Sequence, residues 1–414
     1  MRRKSTVLAV AGMFLVLACG AAWGAGFALY EFSARGNALG GTMVGRADDP
    51  SAIAFNPAGI TQIPGTSYMI GASFIMPRGT LTETSSGTAV GLKEHTFIPP
   101  HIYYTKQMSE TTWFGIGVLS RFGLGTDYPE DWFGRYNSYY SSIESVSINP
   151  NFAWKASDSL SLSVGVEAMW FEYDAKKKVD GTGGKNPQPA TDVDAHLLGD
   201  DIGYGWNFGL LWKASEQTKV GFHYRSTVEQ NISGTATFTY PSGAKAYSPA
   251  HGTIILPDMY MLGINHSLNK KMNVEIGAIY SRWSTYDSLD LTYDNYPGVG
   301  RRTVSTPKNY KNVWRYQIGL EWETSPEWTW RVGYVYDQSP VPDDTIDYQL
   351  PMSDRNIFSI GVGYTKGNKT WDVSYSYLLA DDRDITGRAG TGVVNSSTSD
   401  MDTNIFAISY SVRY

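Results

Sequence analysis

Two cations near one strand-like run, Lys311 and Arg315, have the type and spacing that could bind an anion. From Trp314 to Trp322 the even positions are aromatic or aliphatic, and the odd positions include Arg315. Alternate residues of a strand face opposite sides of a sheet. Extended backwards, the alternation predicts that Lys311 and Arg315 share the face opposite to the apolar residues. A cation held in a low-dielectric pocket on that face could pair strongly with a carboxylate.

The sequence offers little material for catalysis. None of its six histidines belongs to a pair with zinc-ligand spacing supported by cysteine. It has no Gly-x-Ser-x-Gly elbow, and Gly203-x-Gly205 lies in a strand-like run without the βαβ context of a nucleotide site. We therefore predict that the chain is not an enzyme and uses no metal and no cofactor.

The composition excludes several classes of protein. Of 414 residues, 42% are hydrophobic, 14% aromatic and 18% charged, a balance too apolar for a disordered chain. A single cysteine cannot support a disulfide scaffold. The formal net charge of −6 provides no basic field, so no nucleic acid partner is expected. A mean hydropathy of −0.28 is too low for a bundle of membrane helices.

Residues 1–24 have the organisation of a secretory signal peptide. Basic residues at 2–4 precede an apolar core, and Ala22 and Gly24 occupy the −3 and −1 positions of a cleavage site. The alternatives are an anchor, whose apolar run is shorter than the ~20 residues of a spanning helix, and lipidation at Cys19. Because no later run could form a spanning helix, any structure that crosses a membrane must be a β-barrel.

Alternation with period two recurs from about residue 100 to the end of the chain. Clear examples are the segments 160–170, 314–322, 358–364 and 371–377, each with one apolar face and aromatic residues near its ends. A soluble sandwich would turn that face inward, whereas a membrane barrel turns it outward between aromatic girdles. The signal peptide, the aromatic ends and the polar second faces favour an all-β fold, a transmembrane antiparallel β-barrel.

The last strand carries a further signal. Phe406, Ile408, Tyr410, Val412 and Tyr414 alternate up to a terminal aromatic residue. This strand resembles the signal by which outer-membrane barrels are recognised for assembly. We expect the barrel assembly machinery to be a partner and outer-membrane lipid to surround residues 67–414.

Polar stretches rich in glycine and proline are predicted as long outer loops, which alternate with short turns. They are 176–198, 235–252, 287–311, 338–353 and 380–403. The run Lys176-Lys177-Lys178 falls in the first of these stretches and is interpreted as a solvated patch.

Residues 25–66 show no long alternation and hold many glycines and prolines. A compact segment before a barrel is expected to plug its lumen, and we call this segment the hatch. The alternative is a periplasmic tail. The predicted organisation is therefore a signal peptide (1–24), a hatch (25–66) and a barrel with long extracellular loops (67–414).

The hatch also carries a family resemblance. Residues 25–36, Ala-Gly-Phe-Ala-Leu-Tyr-Glu-Phe-Ser-Ala-Arg-Gly, resemble the mature N-terminus of the FadL family of long-chain fatty acid transporters. The match continues at 47–51, at the Asn-Pro-Ala hatch motif of 56–58, and in later segments such as 256–259 and 337–342. The ordered set covers essentially the whole mature chain, and it implies about fourteen barrel strands.

The resemblance implies ligand-gated passive uptake of hydrophobic ligands, with long-chain fatty acids as the first choice. Aromatic or aliphatic hydrocarbons are the alternative within the family, and an adhesin or structural barrel is a distant one. In the family, the ligand docks between outer loops, enters a deeper pocket and leaves after the hatch rearranges or through a kink in the third strand. A monomer in the outer membrane of a Gram-negative bacterium is expected.

The resemblance also suggests ligand contacts. Lys311 matches a segment that holds a carboxylate-binding lysine, and alternation places Arg315 beside it. Gly26 and Phe27 match the N-terminus that reaches the deep pocket, although simple plug packing is the alternative. Where the family uses an arginine on an earlier strand, this chain has Glu172. That departure keeps a neutral hydrocarbon ligand open.

Further candidates concern gating. Asn56, Pro57 and Ala58 are expected to shape the hatch, because a residue before proline avoids the helical region. In the third strand, Gly115, Gly117 and Gly123 could form the kink, since glycine weakens strand pairing. They could equally relieve crowding in the lumen.

The aromatic stretch 128–140, with Trp132 and Phe133, is expected to form an outer loop that lines the first docking groove. Aromatic side chains at a lipid interface are the alternative.

Overall fold

The computed structural model describes residues 26–182 and 188–414, and these form one closed antiparallel sheet with the hatch inside. The predicted signal peptide, 1–24, lies outside the described residues. Within the described part of the chain, no helix is both long enough and apolar enough to span a membrane.

Twenty-one strands build the sheet. In chain order they are β1 (Thr66–Glu83), β2 (Ala89–Gly91), β3 (Pro100–Gln107), β4 (Thr112–Leu119), β5 (Leu124–Asp127), β6 (Tyr140–Lys155), β7 (Leu160–Val179), β8 (Val193–Lys213), β9 (Thr218–Arg225), β10 (Val228–Thr239), β11 (Lys245–Leu256), β12 (Met259–Asn269), β13 (Met272–Ser281), β14 (Ser288–Tyr296), β15 (Gly300–Pro307), β16 (Val313–Glu323), β17 (Trp328–Asp337), β18 (Arg355–Lys366), β19 (Lys369–Ala380), β20 (Arg383–Ile385) and β21 (Ser396–Arg413).

These strands make fourteen spans of a closed barrel. Five spans are interrupted, so that β4–β5, β9–β10, β11–β12, β13–β14 and β15–β16 each form one span, while β2 and β20 are short additions. The first span pairs with the last, from Ser67 opposite Arg413 to Glu83 opposite Ser396. Closure leaves no edge strand in lipid. The predicted barrel is confirmed.

The apolar faces point outward, as predicted, and aromatic rings follow the barrel near both ends. At one end the rings of Trp206, Tyr224, Tyr260, Tyr280 and Trp314 succeed one another with centroids 4.8–6.3 Å apart. At the other end Trp328, Tyr364, Trp371 and Tyr410 do the same at 4.8–6.1 Å. The second end carries the short turns and the C-terminus, so it is the periplasmic end.

Strands extend into four of the five stretches predicted as outer loops. Strands β7 and β8 stay paired up to Val179 opposite Val193, and β10 and β11 up to Thr239 opposite Lys245. Their polar residues were interpreted as loop residues, because an antiparallel strand pair beyond the membrane can face water on one side and be polar there. We call these paired ends the outer extensions. Residues 338–354, between β17 and β18, lie outside regular strands.

The hatch folds into short helices: α1 (Ala34–Ala38), α2 (Ala52–Phe55) and a 3-10 helix (Pro57–Gln62). Ser33 caps α1 by accepting a hydrogen bond from the Gly36 N–H at 3.0 Å. The hatch is buried along nearly all of its length and contacts inward-facing residues of strands around the barrel.

Glycines on the inner wall make room for the hatch. Six strands each present one where the hatch backbone or a hatch side chain approaches: Gly209, Gly221, Gly263, Gly319, Gly333 and Gly361. A Cβ on Gly319, for example, would overlap Thr42 and the Leu39 carbonyl oxygen. The small residues of the inner faces therefore fit the barrel to its hatch.

We predict that Gly319→Val displaces the hatch without preventing barrel closure, because overpacking of this kind typically costs about 1–3 kcal/mol. The folded barrel, identified by its heat-modifiable gel mobility, should leak a small sugar from liposomes faster than wild type.

Gly205→Val is the control, since a Cβ there meets side chains of the barrel wall, Val228 at 2.9 Å and Ser226 at 3.1 Å, rather than the hatch. Equal leakage from both variants would contradict the inference that Gly319 makes room for the hatch.

Candidate functional site

The third span has a break at residues 120–123, and the start of the hatch supplies hydrogen-bond partners to the backbone there. The Leu29 N–H donates to the Arg121 carbonyl oxygen, and the Gly123 N–H donates to the Phe27 carbonyl oxygen, each at 2.8 Å. From β6, the Ser145 hydroxyl accepts from the Phe122 N–H at 3.0 Å and donates to its carbonyl oxygen at 2.7 Å. The hatch is thus a backbone partner of the barrel wall at this point.

Of the three glycines predicted to form the kink, only Gly123 lies in the break. Gly115 and Gly117 belong to the unbroken strand β4, where a Cβ would meet Ile53 at 2.9 Å and 3.0 Å respectively. The prediction of a kink at these two positions is wrong. Their neighbours fit the alternative, relief of crowding in the lumen.

Five aromatic rings surround the break. Phe27 packs edge-on against Trp283, Tyr286 and Phe122, with ring centroids 4.7 Å, 5.9 Å and 6.0 Å away. Tyr310 completes this aromatic cluster, 5.0 Å from Tyr286. The cluster is apolar, fully buried and built from both hatch and wall.

Gly26 is required next to the cluster. Its φ is +60°, a conformation that favours glycine, and a Cβ would lie 2.5 Å from the Trp283 ring. Gly26 and Phe27 therefore meet the deep aromatic cluster.

A cavity of about 220 Å³ lies in the outer extensions, beyond this cluster. Its walls are mainly apolar and aromatic, and they include Tyr173, Ala175, Val179, Ala195, Leu197, Ala236, Phe238, Leu289, Leu291, Tyr293, Tyr296 and Val304. Tyr173 is the lining residue of β7 nearest the membrane. We call this space the outer cavity.

Buried cations below the outer cavity are already paired. Lys308 Nζ lies 2.6 Å from Asp347 Oδ2 and 3.0 Å from Gln349 Oε1, and the Gln349 amide donates to the Tyr173 hydroxyl at 3.0 Å. Beside the break, Arg121 Nη1 lies 2.5 Å from Glu167 Oε2.

Arg315 is buried on the inner face of β16, as the alternation predicts. Its Nη1 lies 2.7 Å from Asp337 Oδ2, and its guanidinium stands 4.4 Å from the ring centroid of Tyr30. Asp337 also pairs with Arg355. Arg315 thus anchors the hatch to the wall.

The predicted orientation of Lys311 is wrong. The strand begins at Val313, and Lys311 lies in the interruption between β15 and β16, where it is exposed and does not line the outer cavity. Asn309 has a φ of +49°, which breaks the alternation on which the prediction depended. Lys308 is the buried lysine of this segment.

Glu172 cannot replace an inward arginine, because it faces outward on β7, opposite Glu144 and Asp200. The inward residues of this strand have odd numbers.

The predicted docking aromatics are packed among themselves. Trp132 is buried and stacks on Tyr128 with centroids 4.0 Å apart, and Tyr348 closes on it at 4.8 Å. Phe133 adjoins Trp132 at 4.7 Å. Neither Trp132 nor Phe133 lines the outer cavity, whereas Tyr136 of the same loop does.

The Asn-Pro-Ala motif fastens the hatch. The buried Asn56 amide donates to the carbonyl oxygens of Val44 and Leu210, both at 2.9 Å, and its Oδ1 accepts from the Ala58 N–H at 3.3 Å. Pro57 opens the 3-10 helix. The motif therefore joins two parts of the hatch to β8.

An ion-pair hub holds the periplasmic side of the hatch. Glu321 of β16 accepts from Arg35 at 2.9 Å, from Arg46 at 2.6 Å and from Arg331 at 2.6 Å. Arg35 also pairs with Asp48 at 2.7 Å. The hub stands at a charged cavity of about 530 Å³ near the C-terminus.

Sequence reasoning missed two groups of residues: Phe122, Trp283, Tyr286 and Tyr310 of the aromatic cluster, and Glu321 at the centre of the ion-pair hub. Their spacing gives no signal, since the barrel joins residues from distant spans. The four aromatic residues lie in interruptions of barrel spans, and the interrupted alternation is the only sequence signal of those positions.

The chain is similar to known transport proteins over most of its length. The model of a family described as outer membrane protein transport protein (OMPP1/FadL/TodX) matches residues 15–414. A long-chain fatty acid transport protein of Escherichia coli K12 is 25% identical over 401 residues, which cover 86% of this chain and 88% of that protein.

Two solved structures share the fold. A Pseudomonas aeruginosa FadL homologue superposes with a TM-score of 0.85 at 19% identity, covering 94% of this chain and 100% of that one. The Pseudomonas putida toluene transporter TodX gives 0.75 at 19% identity, with 93% and 99% coverage.

We predict that Phe27→Ala loosens both the hatch start and the broken span, because loss of a buried phenylalanine ring costs about 3–5 kcal/mol. Hydrogen exchange measured by mass spectrometry should rise roughly a hundredfold or more in peptides covering 26–32 and 120–124. Phe406→Ala, which removes an outward-facing ring, should leave both peptides protected. Unchanged exchange in Phe27→Ala would refute the coupling.

We predict that Glu321→Gln frees the periplasmic side of the hatch, since breaking a buried ion pair on one side costs about 3–5 kcal/mol. Trypsin should then cleave after Arg35 or Arg46 faster than in wild type.

Glu323→Gln makes the same change two residues later, at an exposed position. Faster cleavage in both variants, or in neither, would argue against the hub.

Proposed function

Because the chain belongs to the family of outer membrane transport proteins described as OMPP1/FadL/TodX, we propose that it carries long-chain fatty acids inward by passive, ligand-gated diffusion. The ligand would enter the outer cavity, advance to the aromatic cluster, and leave when the hatch and the broken span rearrange. Lipid surrounds the barrel, and the protein acts as a monomer assembled through its last strand.

The observation that carries this proposal is one buried apolar core that joins the wall of the outer cavity to the hatch. The outer cavity ends at Tyr173, the aromatic cluster lies below it, and Phe27 of the hatch belongs to that cluster. Burial of an alkyl tail along this line would contribute about 0.8 kcal/mol per methylene. A ligand that takes the place of Phe27 would bind and disturb the hatch in one step.

Uptake of neutral aromatic hydrocarbons is the second candidate. It is favoured by the pairing of the deep cations, since Lys308, Arg121 and Arg315 each have a carboxylate partner. A carboxylate that reached this depth would have to displace one of those partners. A neutral ring would not.

The test compares binding of radiolabelled oleate and radiolabelled toluene to the purified, refolded barrel, followed by uptake in cells that lack their own transporter. We expect saturable binding and uptake of oleate. Saturable toluene binding without oleate binding would select the hydrocarbon function, and binding of neither would end the proposal of transport.

The design includes a control for non-specific partition into detergent. Phe406→Ala alters only the lipid-facing surface, so it should bind as wild type does. Phe27→Ala should change ligand binding, because it alters the deep cluster.

A further inference from the structure

The outer cavity is smaller than a long apolar ligand requires. Its volume of about 220 Å³ lies below the ~300–1,000 Å³ of typical ligand pockets. The fatty acid of the proposed function could therefore occupy it only if part of the wall moved. The strands that line the cavity differ in how firmly the sheet holds them, and this difference identifies the wall that can move.

Three of the lining strands have backbone partners on both sides. β7 pairs with β6 up to Lys176 and with β8 up to Val179. β8 pairs with β10 over residues 194–200, and β10 pairs with β11 along its whole length. A strand hydrogen-bonded along two edges cannot leave the wall without breaking both ladders.

The remaining wall is the hairpin of β14 and β15, and the sheet holds it much less firmly. β14 pairs with β11 at only three positions, residues 291–293 against 250–252. Among the described residues, β15 pairs with β14 alone, so its second edge is open. Below the three paired positions β11 and β14 diverge, and a groove of about 640 Å³ lies between them on the outward face.

Two further contacts join the top of the hairpin to the wall. The Asn295 N–H donates to the Ser248 hydroxyl at 2.9 Å, and the ring of Tyr296 lies 5.1 Å from that of Phe238. These contacts and the short ladder are few for an element of this length. Segments with few contacts are those that open locally at low free energy.

The feet of the hairpin, residues 282–287 and 308–312, are firmly held. They rise from β13 and β16, which pair with each other below. The Lys308 N–H donates to the Asp287 carbonyl oxygen at 2.8 Å, and Lys308 Nζ lies 2.6 Å from Asp347 Oδ2. The feet also carry three rings of the aromatic cluster. A hairpin with fixed feet and a weakly attached top can turn about its feet.

We infer that the β14–β15 hairpin is a hinged wall of the outer cavity, which parts from β11 and so determines the length of apolar tail that the protein accepts. The inference rests on the proposed function and specifies its ligand choice. Leu289, Leu291 and Tyr293 face the cavity from the hairpin, so the widened cavity stays apolar. Burial of a long tail offsets the loss of the short ladder, whereas a short tail fits without it.

The test fixes the hairpin to β11 with a reversible disulfide. His251 and Thr292 lie opposite each other, and neither lines the cavity. Opposed residues have Cα atoms about 4.5–5.5 Å apart, within the reach of a disulfide. The variant His251→Cys/Thr292→Cys is made in a chain that begins at residue 25, which has no other cysteine. The matched control, Thr292→Cys/Thr303→Cys, joins β14 only to β15.

After oxidation of the first pair, we expect oleate binding to weaken roughly tenfold or more. Octanoate has the same head group and a shorter tail, so its binding should not change. Reduction should restore oleate binding, and oxidation of the control pair should have no effect. The inference fails if oxidation leaves oleate binding unchanged, if octanoate binding falls equally, or if the control pair produces the same loss.

Hydrogen exchange tests the hinge without a ligand. Peptides covering 289–294 should exchange more slowly after oxidation of His251→Cys/Thr292→Cys than after reduction. They should exchange faster than wild type in Ser248→Ala, which lacks the acceptor of the Asn295 N–H. Equal exchange in the oxidised and reduced protein would overturn the inference even if oleate binds. If wild type binds neither fatty acid, the proposed function fails, and exchange still decides whether the hairpin opens. If the cysteine pair does not fold, the comparison of Ser248→Ala with wild type decides.

Discussion

A barrel of fourteen strands encloses more space than its own side chains can fill, and most of this structure follows from that constraint. Small barrels of eight strands fill their interior with side chains, whereas larger ones leave a channel or need a plug. Here the hatch occupies the interior. The hatch must be fastened to the wall, and Asn56 does this through its hydrogen bond to the Leu210 carbonyl oxygen. The hatch also needs space, and glycines on the inner wall provide it.

The two ends of the hatch are held by different physics. On the periplasmic side, Glu321 gathers three arginines, and such buried ion pairs contribute specificity of position more than net stability. Toward the outside, Phe27 joins a cluster of rings held by packing. An apolar ligand can compete with packing but not with ion pairs. The outer end is therefore the end that a hydrophobic ligand can disturb first.

The outward face of this protein was predictable from sequence and the inward face only in part. Lipid imposes one chemistry on every outward position, so alternation identified the strands, including the last one. The inner wall meets water, hatch and cavity in turn, and no single residue type marks it. Arg315 followed the alternation because β16 is regular there, but Lys311 did not, since Asn309 interrupts the pattern.

The outer cavity could not be predicted for a related reason. Its walls come from extensions of five strands, and the residues of these extensions are too polar to be distinguished from loops. Trp132 shows the converse, because aromatic residues of an outer loop can form their own small core with Tyr128 and Tyr348. Composition identified that loop correctly but not what it packs against.

One short segment of the hatch belongs both to the aromatic cluster and to the broken third span. Residues 27–29 supply backbone hydrogen bonds to the broken third span and, through Phe27, a ring to the aromatic cluster. A ligand that takes the place of that ring must move the segment, and movement removes the backbone partners of Arg121 and Gly123. Unpaired backbone groups are costly in a wall that faces lipid. The broken span must then find new partners or open, so occupancy of the cluster and opening of the wall cannot be independent events.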